Sequence, residues 1–111
     1  MVQYQPALDR SFAALSDSTR RAILQRLGRS DASISELADR FEMTLTGLKK
    51  HVQVLEDAGL VTTEKVGRVR TCRLGPHRLE EVNRWIASYR TMLEQRLDHL
   101  EAFLERTKGT S

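Results

Sequence analysis

Lysine, threonine and glutamine side chains cluster between residues 44 and 53, where they could bind a nucleic acid. Lys49 and Lys50 supply ammonium groups that can pair with phosphates. Hydroxyl and amide groups beside them could hydrogen-bond base edges in a major groove, and Gly47 would let the backbone approach a ligand closely. We therefore predict a DNA contact surface formed by Thr44, Thr46, Gly47, Lys49, Lys50 and Gln53. A solvated helix face is the alternative that charge alone would allow.

Groups that could hold a metal lie near the two ends of the last segment. His77 and Glu80 have His-x₂-Glu spacing, and Asp98, His99 and Glu101 follow later; zinc accepts imidazole and carboxylate ligands. However, His77 and His99 are 22 residues apart, and the adjacent Asp98 and His99 would point to different sides of a helix. We predict no metal site and no cofactor, and keep a metal-responsive protein with a His/carboxylate site on this segment as an alternative.

Catalytic signatures are absent from the sequence. It contains no Gly-rich phosphate loop, metal triad or nucleophile–base pair, so we predict no enzymatic activity. The 111 residues, 40% hydrophobic and 30% charged, fit one domain. One cysteine, Cys72, cannot form an internal disulfide, which favours a reducing compartment, and we expect a cytoplasmic protein. No apolar run approaches the ~18–20 residues of a membrane span, so we expect neither a signal peptide nor a membrane partner.

Basic residues are concentrated in the middle of the chain. Residues 1–42 and 76–111 each carry six Lys/Arg and six Asp/Glu, whereas residues 43–75 carry six basic against three acidic residues. The net charge of +3 therefore lies entirely in this middle segment. Such a local excess favours a polyanionic partner, although a chance imbalance is the alternative. The basic residues are Lys49, Lys50, Lys65, Arg68, Arg70 and Arg73.

Capping residues and helical spacing predict the elements that position these groups. A short first helix follows Pro6, and a second runs from Asp17, as N-cap, to Gly28, with residues 29–33 as a loop. Ser33 with Glu36 reads as a capping box that begins a third helix.

A fourth helix is predicted from the N-cap Thr44 to Gly59, which suits a left-handed C-terminal position. Its apolar stripe consists of Leu48, Val52 and Leu55. Because Lys49, Lys50 and Gln53 lie mostly away from that stripe, residues 34–58 fit a helix-turn-helix whose second helix is basic outside.

A hairpin is predicted over residues 61–74. Two runs rich in Val and Thr flank the pair Gly67-Arg68, which is a typical two-residue turn. A hairpin directly after the recognition helix is the wing of a winged helix-turn-helix, so we add Arg68, at its tip, to the predicted DNA contacts.

A long amphipathic helix is predicted over about residues 76–106. Apolar residues recur at spacings of 3 and 4 from Leu79 to Leu104, over roughly 40 Å of helix. The rest of the chain could not cover such a length, so a second copy is the simplest partner. We therefore predict a mainly α homodimer with a small β-hairpin, and an interface formed by Leu8, Phe12, Trp85, Tyr89, Leu93, Leu97 and Leu100.

Two stretches resemble the ArsR-type winged helix-turn-helix repressors. They are Ile-Ser-Glu-Leu-Ala at 34–38 and Lys-His-Val-Gln-Val-Leu-Glu-Asp-Ala-Gly-Leu-Val at 50–61. Residues 15–20 also resemble the family's opening motif, with Ser18 where proline is usual. The resemblance covers about residues 8–106 and implies a prokaryotic, dimeric repressor that binds double-stranded operator DNA and pairs through its first and last helices. It also implies DNA-facing positions at Thr44, Thr46, Lys49, Lys50 and His51, and a wing tip at Arg68.

The sequence departs from the family pattern in ways that bear on function. Thr46-Gly47 replaces a common Pro-Ala and Lys49 a common Ser, so the operator sequence cannot be carried over. Residues 35–39 lack the Cys-x-Cys of metal-sensing members, and Cys72 lacks the partner that persulfide sensing requires. The last helix resembles the branch without metal ligands, whose members are often autoregulatory, and the sequence specifies no inducer.

Two questions stay open at this level. His51 follows Leu48 by three residues, so its ring could contact a DNA phosphate or form hydrogen bonds at the edge of the core. A non-DNA helical dimerisation adapter is a second reading of the whole chain, although it leaves the basic helix and hairpin unexplained.

Overall fold

Helix and strand boundaries follow the capping and turn residues of the sequence. The computed structural model describes residues 5–108. Its elements in chain order are α1 (Pro6–Leu15), α2 (Ser18–Leu27), β1 (Ala32–Ser33), α3 (Ile34–Arg40), α4 (Leu45–Asp57), β2 (Val61–Val66), β3 (Val69–Leu74) and α5 (Pro76–Lys108). No helix among these residues is both long and apolar enough to cross a membrane.

Side-chain caps begin three of the helices, as predicted. Asp17 accepts a hydrogen bond from the Arg20 backbone N–H at 3.0 Å. Ser33 Oγ accepts from the Glu36 N–H at 3.1 Å, and Thr44 Oγ1 accepts from the Gly47 N–H at 3.1 Å. Each bond satisfies a donor that the first helical turn leaves without a backbone partner.

The sheet has one strand more than the hairpin that we predicted. β2 and β3 pair antiparallel from Val61↔Leu74 to Val66↔Val69, and β1 adds to the other edge of β3 with Ala32 opposite Cys72. Our assignment of residues 29–33 to a loop was therefore wrong for Ala32 and Ser33. Two residues are too short for a strand periodicity, and the pairing arises from tertiary contact with β3.

The core lies between α2, α3, α4 and the base of the sheet. Its fully enclosed side chains come from all these elements and include Ile23, Leu37, Leu48, Leu55, Leu60 and Cys72. The predicted stripe of α4 is buried as a unit, because Leu48, Val52 and Leu55 are each at most 3% exposed. Cys72 points into this core from β3 and is 0% exposed.

The first part of α5 packs on α1, and the remainder extends away from the core. Val82 is buried, and the rings of Phe12 and Trp85 meet edge to face with centroids 5.3 Å apart. Apart from this contact, the large apolar side chains along α5 remain about half exposed within the described residues. They are Trp85, Ile86, Tyr89, Met92, Leu93, Leu97, Leu100, Phe103 and Leu104.

The end of α4 and the start of α5 are held together at a close glycine contact. Gly59 has a φ of 76°, which confirms its predicted left-handed position after α4. Gly75 donates its N–H to the Leu60 carbonyl at 2.8 Å, and a Cβ on Gly75 would lie 2.6 Å from the Gly59 carbonyl oxygen. This contact leaves no room for a side chain at residue 75.

We expect Gly75→Ala to destabilise the protein, because a backbone oxygen cannot move aside as a flexible side chain can. The expected loss is about 2 kcal/mol, or a Tm lower by about 8 °C. Gly67→Ala is the control, since Gly67 has a positive φ but open space around it, and it should cost about 1 kcal/mol. Thermal unfolding at one protein concentration measures both. Equal Tm values for Gly75→Ala and the unsubstituted protein would contradict the contact.

Candidate nucleic-acid interface

The outward face of α4 carries the predicted contact residues. Thr46, Lys49, Lys50 and Gln53 are exposed, because the opposite side of the helix is buried in the core. Neither lysine makes a hydrogen bond or ion pair to any of the described residues, so both ammonium groups are free to meet phosphates. The exposed face of α4 therefore carries the two ammonium groups of Lys49 and Lys50 and the hydroxyl of Thr46.

Three of the predicted contact residues, Thr44, Gly47 and Gln53, also have contacts within α4 itself. Thr44 uses its hydroxyl to cap α4, and a Cβ on Gly47 would lie 3.1 Å from that hydroxyl oxygen. Glycine therefore keeps the cap uncrowded, a reason that differs from the close ligand approach we predicted. Gln53 Nε2 donates to Asp57 Oδ1 at 2.8 Å one turn later. The amide of Gln53 is thus pre-oriented along the exposed face.

The ring of His51 points to the turn between α1 and α2 rather than along the exposed face. Its Nδ1 lies 3.8 Å from Asp17 Oδ2 and 3.4 Å from Arg20 Nη1. Arg20 also donates to the carbonyls of Ala14 and Ala13, at 2.8 and 3.2 Å. His51 therefore joins α4 to the end of α1, which favours the core-edge reading, and its contact with DNA stays a prediction.

The carboxylate of Asp17 anchors the same junction. Its pKa is lowered, chiefly because the side chain accepts the backbone N–H of Arg20, with the charges of Arg20 and His51 acting in the same direction. A group with a depressed native pKa stabilises the fold above its ordinary value and loses that contribution as the pH falls through the lowered value. Asp17 is therefore ionised at neutral pH, where its carboxylate accepts the Arg20 N–H as the cap of α2.

The two faces of the hairpin differ in charge. Arg73, on one face, is paired with Asp31 at 3.0 Å and with Glu64 at 3.4 Å. Lys65 and Arg70 are opposite each other in the β2–β3 register and lie on the other face, toward α4. Arg68 is exposed at the tip beside Gly67, whose φ of 64° suits the first position of a two-residue turn.

A basic cleft runs between α4 and the hairpin. It has a volume of about 380 Å³, and its lining includes Lys49, Lys65, Arg68 and Arg70 but no Asp or Glu. Lys65 and Arg70 were not among our predicted contacts. Strand alternation could have identified them, because both share a face with the inward Cys72.

The predicted dimer residues lie along α1 and α5. Leu8 is half-buried, and Phe12, Tyr89, Leu93, Leu97 and Leu100 are exposed along α1 and α5. Trp85 joins the two helices, since its ring meets Phe12 and stacks on Tyr89 at 5.7 Å. The interface role of this surface stays a prediction; none of its residues lines the basic cleft.

The histidines of α5 do not come together within one chain. His77 and His99 are both exposed on the same helix. Among residues 5–108, no group of three or more His, Cys, Asp or Glu side chains is placed to hold a metal ion.

Comparison with known proteins places the chain among transcription regulators. Residues 15–64 match the helix-turn-helix domain family. The HTH-type transcriptional regulator YuzN of Bacillus subtilis is 44% identical over 69 residues, which are 56% of this chain and 75% of YuzN. The transcriptional repressor SdpR of the same organism is 26% identical over 78 residues, which are 70% of this chain and 87% of SdpR.

Solved structures extend the likeness to most of the fold. The crystal structure of an ArsR family transcriptional regulator has a TM-score of 0.77 and 45% sequence identity, and the match covers 85% of this chain and 97% of that one. The solution structure of a homodimeric winged helix-turn-helix DNA-binding domain from Mycobacterium bovis has a TM-score of 0.62. That match covers 89% of this chain and 95% of the other, and at 24% identity it concerns the fold.

We expect the thiol of Cys72 to be unreactive in the folded protein. Burial raises its pKa to about 11, with the charge of Glu56 acting in the same direction and Arg70 opposing it. At pH 8 the thiol is therefore protonated and buried, and iodoacetamide should alkylate it much more slowly than the thiol of the unfolded chain. Between about pH 9 and 11 the unfolded chain loses this proton and the folded chain keeps it, so stability should fall as the pH rises.

Rapid, complete alkylation of the native protein at pH 8 would contradict this assignment. The protein unfolded in urea serves as the positive control, since its thiol has an ordinary pKa. A Cys72→Ser variant gives the background of the assay.

Proposed function

We propose that this chain, which belongs to the ArsR-type winged helix-turn-helix family of DNA-binding transcriptional regulators, represses transcription by binding a pseudo-palindromic operator as a homodimer. In this proposal α4 enters the major groove, and the hairpin tip contacts the flanking DNA. The protein acts as a binding module rather than an enzyme, in the cytoplasm where bacterial DNA is accessible.

The single observation that best supports DNA binding is that cations of α4 and of the hairpin face the same cleft. Lys49, on the helix, and Lys65, Arg68 and Arg70, on the hairpin, border one cleft. Arg73, on the opposite face, is already paired with carboxylates. A surface of this kind attracts a phosphate backbone, while the adjoining hydroxyl and amide groups of α4 can reach base edges.

The uncovered stripe of α5 supports a homodimer. Large apolar patches on a soluble protein normally mark an interaction site, and here the patch continues from α1 along much of a 33-residue helix. A second copy offers an identical stripe, so a twofold interface would cover both at once. The related M. bovis domain is itself homodimeric.

A homodimer of this kind would recognise a twofold-symmetric operator, and its binding there would repress transcription. Two copies present two recognition helices, so half-sites should be roughly one helical turn, about 10 base pairs, apart. A dimer seated on such a site would block access to an overlapping promoter. The related SdpR is a transcriptional repressor, which supports this direction of regulation. We include the protein's own promoter among its expected targets.

We expect the double variant Lys49→Ala/Lys50→Ala to lose affinity for duplexes of any sequence. If each lysine meets one phosphate, the slope of log Kobs against log salt should flatten by about two. Fluorescence anisotropy with a labelled random-sequence duplex over a salt series measures both quantities. Thr46→Ala should instead change the preference among sequences.

The matched control is Arg106→Ala/Lys108→Ala, which removes the same charge from the last turn of α5. It should leave affinity and slope unchanged. The proposal would be refuted by salt-independent binding of the unsubstituted protein, or by equal effects of the two double variants.

We expect Leu93→Asp/Leu97→Asp to give a folded monomer, because the charges would be buried without partners in the dimer seam, at a cost of several kcal/mol. Thr91→Asp/Gln95→Asp adds the same charges to the opposite side of α5 and should stay dimeric. Sedimentation velocity reports the mass, and operator-sized duplex binding reports function. A dimer from the first variant that binds duplex tightly would exclude this interface.

A further inference from the structure

We infer that Arg70 contacts a DNA phosphate and that Thr63 and Glu56 hold its guanidinium group in position for that contact. The inference rests on the proposed DNA binding and assigns a specific role to the cleft between α4 and the hairpin. Arg68, at the exposed tip, is the wing residue that the sequence predicts. Arg70 lies deeper, where the hairpin meets the recognition helix.

A relay of two hydrogen bonds connects α4 to Arg70. The hydroxyl of Thr63, on β2, donates to Oε2 of Glu56, on α4. The same hydroxyl oxygen accepts from Nη1 of Arg70, on β3, at 3.0 Å. A hydroxyl has a single proton, so donation to Glu56 turns its lone pairs toward the guanidinium group. The carboxylate thus orients the hydroxyl, and the hydroxyl orients the arginine.

The relay leaves the charge of Arg70 available to a ligand. Its partner is a neutral hydroxyl, and Arg70 makes no ion pair within the described residues. Arg73, two positions later on the same strand, has carboxylates at 3.0 and 3.4 Å. Arg73 is therefore neutralised by carboxylates of its own chain, whereas Arg70 is held by a hydroxyl and makes no ion pair within the described residues.

The surroundings of Arg70 fit an anionic group. It borders the cleft of about 380 Å³, which it shares with Lys49 and whose lining has no Asp or Glu. The neighbouring cavity of about 270 Å³ also contains Glu56, so the larger cleft is the one that suits an anion. Lys65 lies directly across the hairpin from Arg70. Cations from α4, β2 and β3 thus converge on one space that a backbone phosphate could enter, and guanidinium can bind a phosphate through two parallel hydrogen bonds.

Holding the Arg70 side chain in position lowers the entropy cost of its contact with a phosphate. An arginine on an exposed strand loses rotamer entropy when it binds a phosphate. Because Thr63 already restricts the side chain, part of that loss has occurred before DNA arrives. Thr63 is therefore a positioning residue, whose removal should weaken binding without removing a charge.

The test compares single variants by anisotropy on a random-sequence duplex over a salt series. Arg70→Ala should lower affinity roughly tenfold at moderate salt and flatten the salt slope by about one. Arg73→Ala removes the same charge from the same strand and should change affinity by less than about twofold, with the slope unchanged. Circular dichroism confirms that each variant is folded.

Substitutions of Thr63 test the relay separately. Thr63→Val keeps the shape and every charge but removes the hydroxyl, and should lower affinity roughly threefold with an unchanged salt slope. Thr63→Ser restores the hydroxyl and should recover the affinity of the unsubstituted protein. A structural effect of position 63 would be visible as a lower Tm, which the relay does not require.

The outcomes separate this inference from the proposed function. Absence of salt-dependent binding by the unsubstituted protein would overturn DNA binding itself. Normal binding with an unchanged slope in Arg70→Ala, or an equal effect in Arg73→Ala, would overturn the phosphate contact while leaving the proposed function intact. Full affinity in a folded Thr63→Val variant would overturn the positioning role.

Discussion

Burial of one side of α4 determines where the groups assigned to DNA contact can lie. Leu48 and Leu55 are fully enclosed by α2, α3 and the base of the sheet, so the rotation of α4 about its axis is fixed. With 3.6 residues per turn, the lysines next to this stripe must face outward. Glu56, at the border between the two sides, reaches β2 through Thr63 and joins the hairpin to the same helix.

The exposed apolar stripe of α5 is a second constraint, because it requires a partner surface on a part of the chain other than α4. The edge-to-face contact of Phe12 and Trp85 fixes α5 on α1, while Leu93 and Leu97 remain about half exposed. A helix with such a stripe needs a partner surface, and a second copy would place two copies of α4 in a defined relation. In the proposed assembly, pairing would use α5 and α1, whereas DNA recognition would use α4 and the hairpin.

Local signals predicted most of the elements, whereas contacts between distant segments escaped prediction. The caps at Asp17, Ser33 and Thr44 and the left-handed Gly59 are short-range features, and each is confirmed. The strand at Ala32–Ser33 exists only because β3 lies beside it. The Glu56–Thr63–Arg70 relay likewise depends on how α4 packs on the hairpin, which no spacing in the sequence reveals.

In the proposed complex, α4 and the hairpin together form the DNA surface, and α5 does not. Amide chemical-shift perturbation of the ¹⁵N-labelled protein by a random-sequence duplex at low salt tests it residue by residue. We predict shifts concentrated at residues 44–53 and 65–70, with residues 92–104 unchanged. Shifts concentrated on α5, with α4 and the hairpin unaffected at saturating DNA, would show that the DNA surface lies elsewhere.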